Sequence, residues 1–366
     1  MIDKRVLIVG VGLIGGTIAR GFKQNENTYV IGVGRNIERL KMAKSLGIID
    51  EFSTDFSKEA LKADVIILAT PVKQSLLFMA ELANLPFKHQ VIISDAGSTK
   101  GEIVSAAEHL FAGTALYFIG GHPMAGSHKT GAAASRLDLF ENAYYILTPA
   151  SNVPEAVIVE FQSYLSALKA KFIRLDAKVH DNITSMVSHL PHVLAAGLVL
   201  QTKTFSSDFP LAKDLAAGGF RDMTRIASSD PRMWTDILLS NQAIMLERLE
   251  ECLGQISEIK DLVARGSFDE IMSFFTAAKD FRQTMAIHQN GAIPAFYDLF
   301  VDIPDTPGVV HQILGLFVPD DLSIINIKIM ETEATGALQL SFKNLDDLLR
   351  AKALIKANTL YDCYEM

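Results

Sequence analysis

Cysteine and clustered positive charge are scarce in this 366-residue sequence. The two cysteines, Cys252 and Cys363, lie far apart and form no CxxC pair, which excludes a disulfide framework and favours a reducing, cytoplasmic location. Asp and Glu number 42 against 34 Lys and Arg, giving a formal net charge of −8. Because no Lys/Arg-rich run is present, we expect no nucleic acid among the partners of the protein.

Long apolar runs are lacking as well, so we expect no membrane-spanning segment and no membrane partner. The apolar run that follows Asp3-Lys4-Arg5 has some features of a signal peptide, but its glycines fall at the positions of a dinucleotide-binding turn. Hydrophobic residues make up 49% of the chain and charged residues 21%. This composition excludes disorder, and the length suffices for two or three domains.

Strand-like apolar runs alternate with helical stretches over residues 1–175. Such alternation is typical of right-handed βαβ units, and runs that are apolar throughout are typical of strands buried on both faces. We therefore predict an α/β, Rossmann-type parallel sheet in a dinucleotide-binding domain at 1–175. The predicted strands are Arg5–Val9, Tyr29–Val33, Val65–Ala69, Val91–Ser94, Tyr117–Ile119, Tyr144–Leu147 and Phe172–Leu175.

Beyond residue 175 the pattern changes twice. Residues 176–294 contain no convincing strand, and we predict an all-α substrate and dimerisation domain there. One apolar stripe runs from Met245 to Val263 in steps of three and four residues, so it occupies one face of a long helix. Core packing and a subunit interface explain this stripe equally well. The order βαββαβ in residues 295–366 predicts a third, small α+β domain of ferredoxin-like type.

Three glycines with GxGxxG spacing, Gly10, Gly12 and Gly15, follow the first strand and open the first helix. The first permits a tight turn, the second lets the backbone approach a pyrophosphate, and the third lets helix and strand pack closely. The phosphates then lie on the helix N-terminus, where free N–H groups favour anions, so we expect NAD or NADP. The residues assigned to this cofactor site are Gly10, Gly12, Leu13, Ile14, Gly15, Arg35, Thr70 and Pro71.

The second predicted strand ends in Gly32-Val33-Gly34-Arg35. The acidic residue that holds the ribose hydroxyls of NAD in this fold is missing at this place. An arginine can accept a 2′-phosphate, so the sequence indicates tolerance of NADP. A solvent-facing Arg35, with NAD bound through other contacts, is the alternative.

Four polar stretches stand where core packing does not require them. Asp95–Lys100 and Gly120–Ser127 each follow a predicted strand, and the carboxyl ends of parallel strands face the ligand crevice in such folds. Ser188 and His192 are four residues apart in a helical run and therefore share a face. The fourth stretch, Gly218–Arg225, brings cations into the helical domain.

Together these stretches resemble the prephenate/arogenate dehydrogenase family, from residue 4 to about residue 290. The resemblance implies NAD(P)-dependent oxidative decarboxylation of prephenate to 4-hydroxyphenylpyruvate, in tyrosine biosynthesis, by a homodimer. Two stretches of the tail, 302–309 and 325–327, resemble an ACT domain, an amino-acid-sensing module. The motifs that carry the family resemblance are Gly10–Gly16, Asp95–Lys100, His122–Gly126, Ser188–His192, Gly219–Ala227, Ser229–Pro231 and Met233-Trp234.

The family's reaction removes a hydride from the carbinol carbon, a proton from its hydroxyl, and CO2. The resemblance assigns His122 as the neutral imidazole that accepts a hydrogen bond from the hydroxyl, with Ser98 as a second catalytic residue. It assigns Arg225 to a substrate carboxylate, because a guanidinium binds carboxylates in bidentate fashion. The remaining residues assigned to the substrate are Ser127, Ser188 and His192.

Structural explanations stand beside these assignments. His122 can be a capped loop histidine, Ser188 can cap a helix, and Arg225 can pair with a neighbouring aspartate. His189 and Trp234 are expected to pack rather than react. No sequence motif for a metal site is present, and we expect no metal.

The tail carries the expected regulation. If it is an ACT domain, L-tyrosine binds it and inhibits the enzyme, since Pro307, Gly308 and Asn326 match positions where such modules bind ligands.

Three other functions stay open. An arogenate dehydrogenase differs only in accepting an ammonium in place of the keto group. A β-hydroxyacid dehydrogenase shares the domain plan but uses a helix-borne lysine, and Ser185–Gln201 contains none. A nucleotide-sensing regulatory protein without turnover is the non-enzymatic alternative.

Overall fold

A computed structural model describes residues 4–126, 130–285, 297–304, 306–331 and 336–365. The chain divides into two compact units, Met1–Phe274 and Phe275–Met366. The larger unit contains every residue that the sequence assigned to catalysis, cofactor or substrate. Of those residues, Ser127 lies outside the described ranges.

Eight strands form one sheet in the first unit. Their bounds are β1 Lys4–Val9, β2 Thr28–Val33, β3 Glu51–Ser53, β4 Val65–Leu68, β5 Val91–Asp95, β6 Leu116–Pro123, β7 Tyr144–Pro149 and β8 Lys171–Arg174. Their order in the sheet is β3-β2-β1-β4-β5-β6-β7-β8. All seven predicted strands are confirmed. β3 was not predicted, because it has only three residues, all half-buried, at the edge of the sheet.

The predicted Rossmann-type parallel sheet is confirmed, with one antiparallel pair of strands that was not predicted. β6 and β7 pair antiparallel, with Pro123 opposite Tyr145, whereas the other neighbouring strands are parallel. The described part of the β6–β7 connection holds short 3-10 turns at Ala132–Ala134 and Leu137–Phe140. A parallel return is usually made through a crossover α-helix. The described part of this connection contains 3-10 turns and no α-helix, and β7 comes back beside β6 in the opposite direction.

Helices cover both faces of the sheet, as the apolar strands require. In β1, Val6 and Ile8 enter one hydrophobic core while Leu7 and Val9 enter the other, since successive side chains of a strand point to opposite faces. The helices of this region are α1 Leu13–Phe22, α2 Ile37–Ser45, α3 Phe56–Ala60, α4 Val72–Ala83, α5 Gly101–Leu110 and α6 Glu155–Tyr164.

The described part of the predicted all-α domain contains no strand, and its short 3-10 helices, Pro210–Ala212 and Arg225–Ser228, accompany a set of longer helices. They are α7 Ala177–Thr184, α8 Leu190–Phe205, α9 Gly218–Thr224, α10 Pro231–Ser240, α11 Gln242–Arg265 and α12 Phe268–Thr284, with a π-helical turn at Ser185–His189 joining α7 to α8. Pro191 has no N–H to donate into the preceding turn, which disfavours a regular α-helix at that place. The start of α7 is capped by the Asp176 carboxylate, which accepts the N–H groups of Lys178 and Val179.

The run Ala177–Phe205 is long and apolar enough to cross a membrane by length and composition. The expectation that no stretch reaches this length is therefore wrong. The run also carries buried polar groups, His180, Asp181 and His189.

The predicted apolar stripe lies on α11. Met245, at its beginning, is buried, whereas Ile256 is 53% exposed and Val263 64% exposed. Core packing within the chain therefore explains only the first part of the stripe.

Residues 297–365, within the second unit, form a module with the predicted βαββαβ order. Its elements are β9 Tyr297–Ile303, α13 Val309–Gly315, β10 Ile324–Glu331, β11 Gly336–Phe342, α14 Leu345–Asn358 and β12 Cys363–Glu365. The strands form an antiparallel sheet in the order β10-β11-β9-β12. Alternate strand residues such as Leu299, Val301, Leu338 and Leu340 form its core with the helices.

Gly12 and Gly15, the second and third glycines of the GxGxxG motif, provide a matched stability test. A Cβ on Gly15 would lie 2.2 Å from the Gly10 carbonyl oxygen and 2.8 Å from the Ala69 Cβ, neither of which can rotate away. We expect Gly15→Ala to lower the free energy of unfolding by about 1–3 kcal/mol. A Cβ on Gly12 would meet no heavy atom within 4 Å, so Gly12→Ala should cost less than about 1 kcal/mol. Equal unfolding midpoints for the two variants would contradict this packing.

Candidate active site

The glycine turn leaves a space for a phosphate group at the start of α1. Gly10 has φ +92°, and a Cβ there would lie 2.5 Å from the Ala69 carbonyl oxygen, so only glycine fits the turn. Gly12 precedes α1 without a side-chain cap, and the space beside its Cα is open. The first N–H groups of α1, which include those of Leu13 and Ile14, are therefore available to an anion. These features fit a dinucleotide.

The other assigned cofactor residues follow neighbouring parallel strands. Val9 pairs with Val33 of β2 and with Leu68 of β4, which brings the segments after these strands to one edge of the sheet. Arg35, two residues after β2, is exposed. Thr70 donates to or accepts from the Ser75 hydroxyl at 2.9 Å, and Pro71 precedes α4.

A buried ion pair lies at the end of β5. The Lys100 ammonium contacts the Asp95 carboxylate and donates to the Gly121 carbonyl at 2.9 Å, while both side chains are almost fully buried. Asp95 also accepts the N–H of Gly121 at 3.0 Å and that of Gly97 at 2.8 Å. Burial lowers the pKa of Lys100, against the attraction of Asp95. The pair therefore fixes the backbone immediately before His122.

His122 occupies the end of β6, at the carboxyl edge of the sheet. Its Nδ1 lies 2.8 Å from Nε2 of His180, on α7, and the residue is half-buried. No hydrogen bond to its Nε2 occurs among the described residues. Burial, and then the neighbouring His180, Lys100 and His189, hold the pKa of His122 well below its ordinary value of 6.5. His122 is therefore a neutral imidazole at neutral pH.

Two residues that sequence reasoning did not assign complete this arrangement. Nδ1 of His180 lies 2.8 Å from Oδ1 of Asp181, and both side chains are buried. The Asp181 carboxylate also accepts the N–H groups of Lys100 and Gly101, at 2.7 Å each, at the start of α5. A His-Asp pair near a helix start was the available signal, but nothing in the sequence relates it to β6.

Ser98 lies between Asp95 and Lys100 in the loop after β5, and it is half-buried. β5 and β6 are neighbouring parallel strands, with Ser94 opposite Ile119. The Ser98 loop and His122 are thus at the same edge of the sheet. The described residues give the Ser98 side chain no hydrogen-bond partner.

The helical region contributes a second group of polar side chains. Nδ1 of His192 donates to the Ser188 carbonyl at 2.9 Å, and its ring stacks on Trp234 with centroids 3.8 Å apart. Burial lowers the pKa of His192, and the charge of Arg225 lowers it further. The structure therefore brings Arg225 close to the Ser188/His192 face, and within the described residues Arg225 has no ion-pair partner.

His189 and Trp234 pack together, as expected, with ring centroids 6.0 Å apart. Burial lowers the pKa of His189 to about 4. Among the described residues, the buried atoms Nδ1 of His189 and Nε1 of Trp234 have no hydrogen-bond partner. In the part of the chain that the structure describes, no group of three or more His, Cys, Asp or Glu side chains could hold a metal ion.

In the second unit, Gly308 has φ +91° and precedes α13, and Pro307 beside it is exposed. Asn326 is exposed on β10, an edge strand of the sheet. Their role as a ligand site stays a prediction.

Two family models and two curated relatives that match this chain all describe prephenate dehydrogenases. Residues 18–174 match the family model for the prephenate dehydrogenase nucleotide-binding domain, and residues 176–277 match that for the prephenate dehydrogenase dimerization domain. The chain is 42% identical to a prephenate dehydrogenase of Bacillus subtilis over 98% of this chain and 97% of that protein. It is 47% identical to a prephenate dehydrogenase of Lactococcus lactis, over 97% and 98% of the two chains.

A solved structure is similar over the larger part of the chain. It is prephenate dehydrogenase from Aquifex aeolicus in complex with hydroxyphenyl propionate and NAD+, 30% identical with a TM-score of 0.71. The similarity covers 77% of this chain and 98% of that one. The two family models match most of the chain, and near relatives match nearly all of it. The chain therefore belongs to the prephenate dehydrogenase family.

Proposed function

We propose that this chain catalyses the NAD(P)-dependent oxidative decarboxylation of prephenate to 4-hydroxyphenylpyruvate in tyrosine biosynthesis. The observation that carries the proposal is the state of His122, a neutral imidazole at the carboxyl edge of the sheet. Its Nδ1 is engaged by His180, and the described residues give its Nε2 no hydrogen bond. A histidine held in this way can accept the hydroxyl proton of an alcohol that is being oxidised.

The bound nicotinamide supplies the acceptor for the substrate's hydride. Gly10, Gly12 and the first N–H groups of α1 would hold its pyrophosphate. Exposed Arg35 and the missing carboxylate at the end of β2 support acceptance of NADP beside NAD. In that case Arg35→Ala should lower kcat/KM with NADP and leave kcat/KM with NAD unchanged.

Arg225 would bind a carboxylate of prephenate. Its guanidinium lies near His192 and has no ion-pair partner among the described residues, and the Ser188/His192 face lies beside it. Ser98, in the loop after β5, would act beside His122 as the second catalytic residue. Ser127, outside the described residues, stays a predicted substrate contact. Removing the guanidinium in Arg225→Ala should raise KM for prephenate. Arg221→Ala, one helical turn earlier and also exposed, is the control.

The protein would be a cytoplasmic homodimer. Each chain would have three domains, with boundaries after residues 175 and 294. The exposed part of the α11 stripe supports burial against a second copy, and sedimentation at increasing protein concentration would measure this association.

L-tyrosine would be the effector, bound in the 295–366 domain near Pro307, Gly308 and Asn326. Inhibition by tyrosine that survives removal of this domain would place the effector elsewhere.

The function is tested by assaying prephenate and arogenate, each with NAD and with NADP, and measuring the rate at which reduced nicotinamide forms. We expect turnover of prephenate with a kcat/KM at least about tenfold above that of arogenate. A preference for arogenate would reassign the substrate. Nucleotide binding without turnover of either compound would favour the regulatory alternative.

His122→Asn tests the proton acceptor. We expect kcat with prephenate to fall on the order of 10²–10⁴-fold, because a positioned base contributes that much, with little change in nucleotide affinity. His109→Asn, an exposed histidine on α5, is the matched control and should keep full activity. Full activity of His122→Asn would remove His122 from the chemistry.

The pH dependence follows from the same group. The neutral form of His122 is the active one, and its pKa is lowered, so the protonated, inactive form accumulates only below that pKa. We expect kcat/KM for prephenate to stay level from about pH 8 to pH 6.5 and to fall at lower pH. An acid limb with its midpoint at or above pH 6.5 would contradict the lowered pKa.

A further inference from the structure

We infer that His180 and Asp181 are positioning residues that hold His122 in one tautomer, with its proton on Nδ1 and a free electron pair on Nε2. The inference rests on the proposed role of His122, and it names how that role is prepared. It depends on three side chains joined in a row: His122 Nδ1 to His180 Nε2 at 2.8 Å, and His180 Nδ1 to Asp181 Oδ1 at 2.8 Å.

The direction of the hydrogen bonds is fixed at the Asp181 end of the row. Oδ1 of Asp181 accepts the Lys100 N–H at 2.7 Å, and Oδ2 accepts the Gly101 N–H at 2.7 Å. Both donors are backbone groups at the start of α5, where the helix dipole favours a negative charge. Asp181 is therefore an ionised carboxylate, which can only accept hydrogen bonds.

The state of Asp181 determines the proton positions on His180 and then on His122. Because Asp181 accepts, His180 must carry its proton on Nδ1 and donate it there. With its ring proton on Nδ1, the His180 imidazole presents an electron pair on Nε2, which accepts a hydrogen bond from His122. His122 must therefore carry its proton on Nδ1, which leaves Nε2 as an acceptor.

The same arrangement suits His122 after it has accepted a proton. The imidazolium carries protons on both nitrogens, so its Nδ1–H still donates to His180 and no hydrogen bond has to reverse. The Asp181 carboxylate also places a negative charge two side chains away from the new positive charge. Other charged or titratable groups near His122 are Lys100 and His189, which disfavour the cation.

Burial of His180 and Asp181 keeps the hydrogen bonds between His122, His180 and Asp181 in place. His180 is fully buried and Asp181 is 2% exposed, so water does not compete for their polar atoms. His180 also contacts the His122 ring edge-on, with centroids 5.0 Å apart, which restrains the plane of the ring. Neither residue needs to contact the substrate to act in this way.

Three substitutions of His180 separate the positioning role from simple packing. His180→Gln keeps an acceptor oxygen at about the reach of Nε2, His180→Asn keeps only a donor at about the reach of Nδ1, and His180→Leu keeps neither. We expect kcat with prephenate to fall on the order of 10²–10⁴-fold in the Leu and Asn variants. His180→Gln should recover about tenfold or more of that loss, while KM for prephenate changes little in all three.

The control is His89→Leu, a half-buried histidine that bonds to the Ala63 carbonyl at 3.0 Å. It should keep its kcat. Equal activity of His180→Gln and His180→Asn, with kcat following only the loss of thermal stability, would show a structural role and overturn the inference.

The tautomer itself can be observed in the unaltered protein. Histidine ¹⁵N side-chain resonances at about pH 8, with that of His122 assigned by its loss in His122→Asn, distinguish a protonated Nδ1 from a protonated Nε2. We expect Nδ1 protonated. A His122 with its proton on Nε2 would overturn the inference whether or not the variants fold. Because this measurement needs no substrate, its result is independent of whether His122 acts in turnover.

Discussion

The carboxylate of Asp181 joins the nucleotide-binding sheet to the helical region at the point where chemistry is expected. It accepts two backbone N–H groups at the start of α5 and one side-chain N–H from His180. Asn241, which precedes α11, donates to the Asp181 carbonyl at 3.3 Å. Through these bonds α5, α7 and the start of α11 share one residue, and His122 receives its orientation from that residue.

The buried Lys100–Asp95 pair holds the same region from the other side. Burying a charge is costly unless it is paired and hydrogen-bonded, and here both partners also bind Gly121. Removing one partner of such a pair typically costs about 3–5 kcal/mol. Lys100 thus contributes in two ways, since its backbone N–H fixes Asp181 and its ammonium fixes the strand that carries His122.

Much of the fold was predictable from the sequence because its signals are local. Apolar runs indicate seven strands. The turn after β1 requires glycine at positions 10 and 15, because a Cβ at either position would clash with neighbouring atoms. The antiparallel return of β7 was missed, because strand direction depends on a connection that has no periodic signal. His180 and Asp181 were missed for a related reason: their partners, His122 and Lys100, are brought to them only by the packing of α7 on the sheet. Ser188, His192 and Arg225 were assigned by resemblance, and their proximity comes from the helical packing.

The antiparallel return of β7 has a consequence for how such a site can diversify. A crossover helix would carry the chain after His122 to the opposite edge of the sheet, whereas this return keeps the β6–β7 connection at the catalytic edge. The first strands and the glycine turn, which hold the nucleotide, do not depend on the length of that connection. Insertions and replacements in that connection would therefore act next to His122 and leave the glycine turn unaltered.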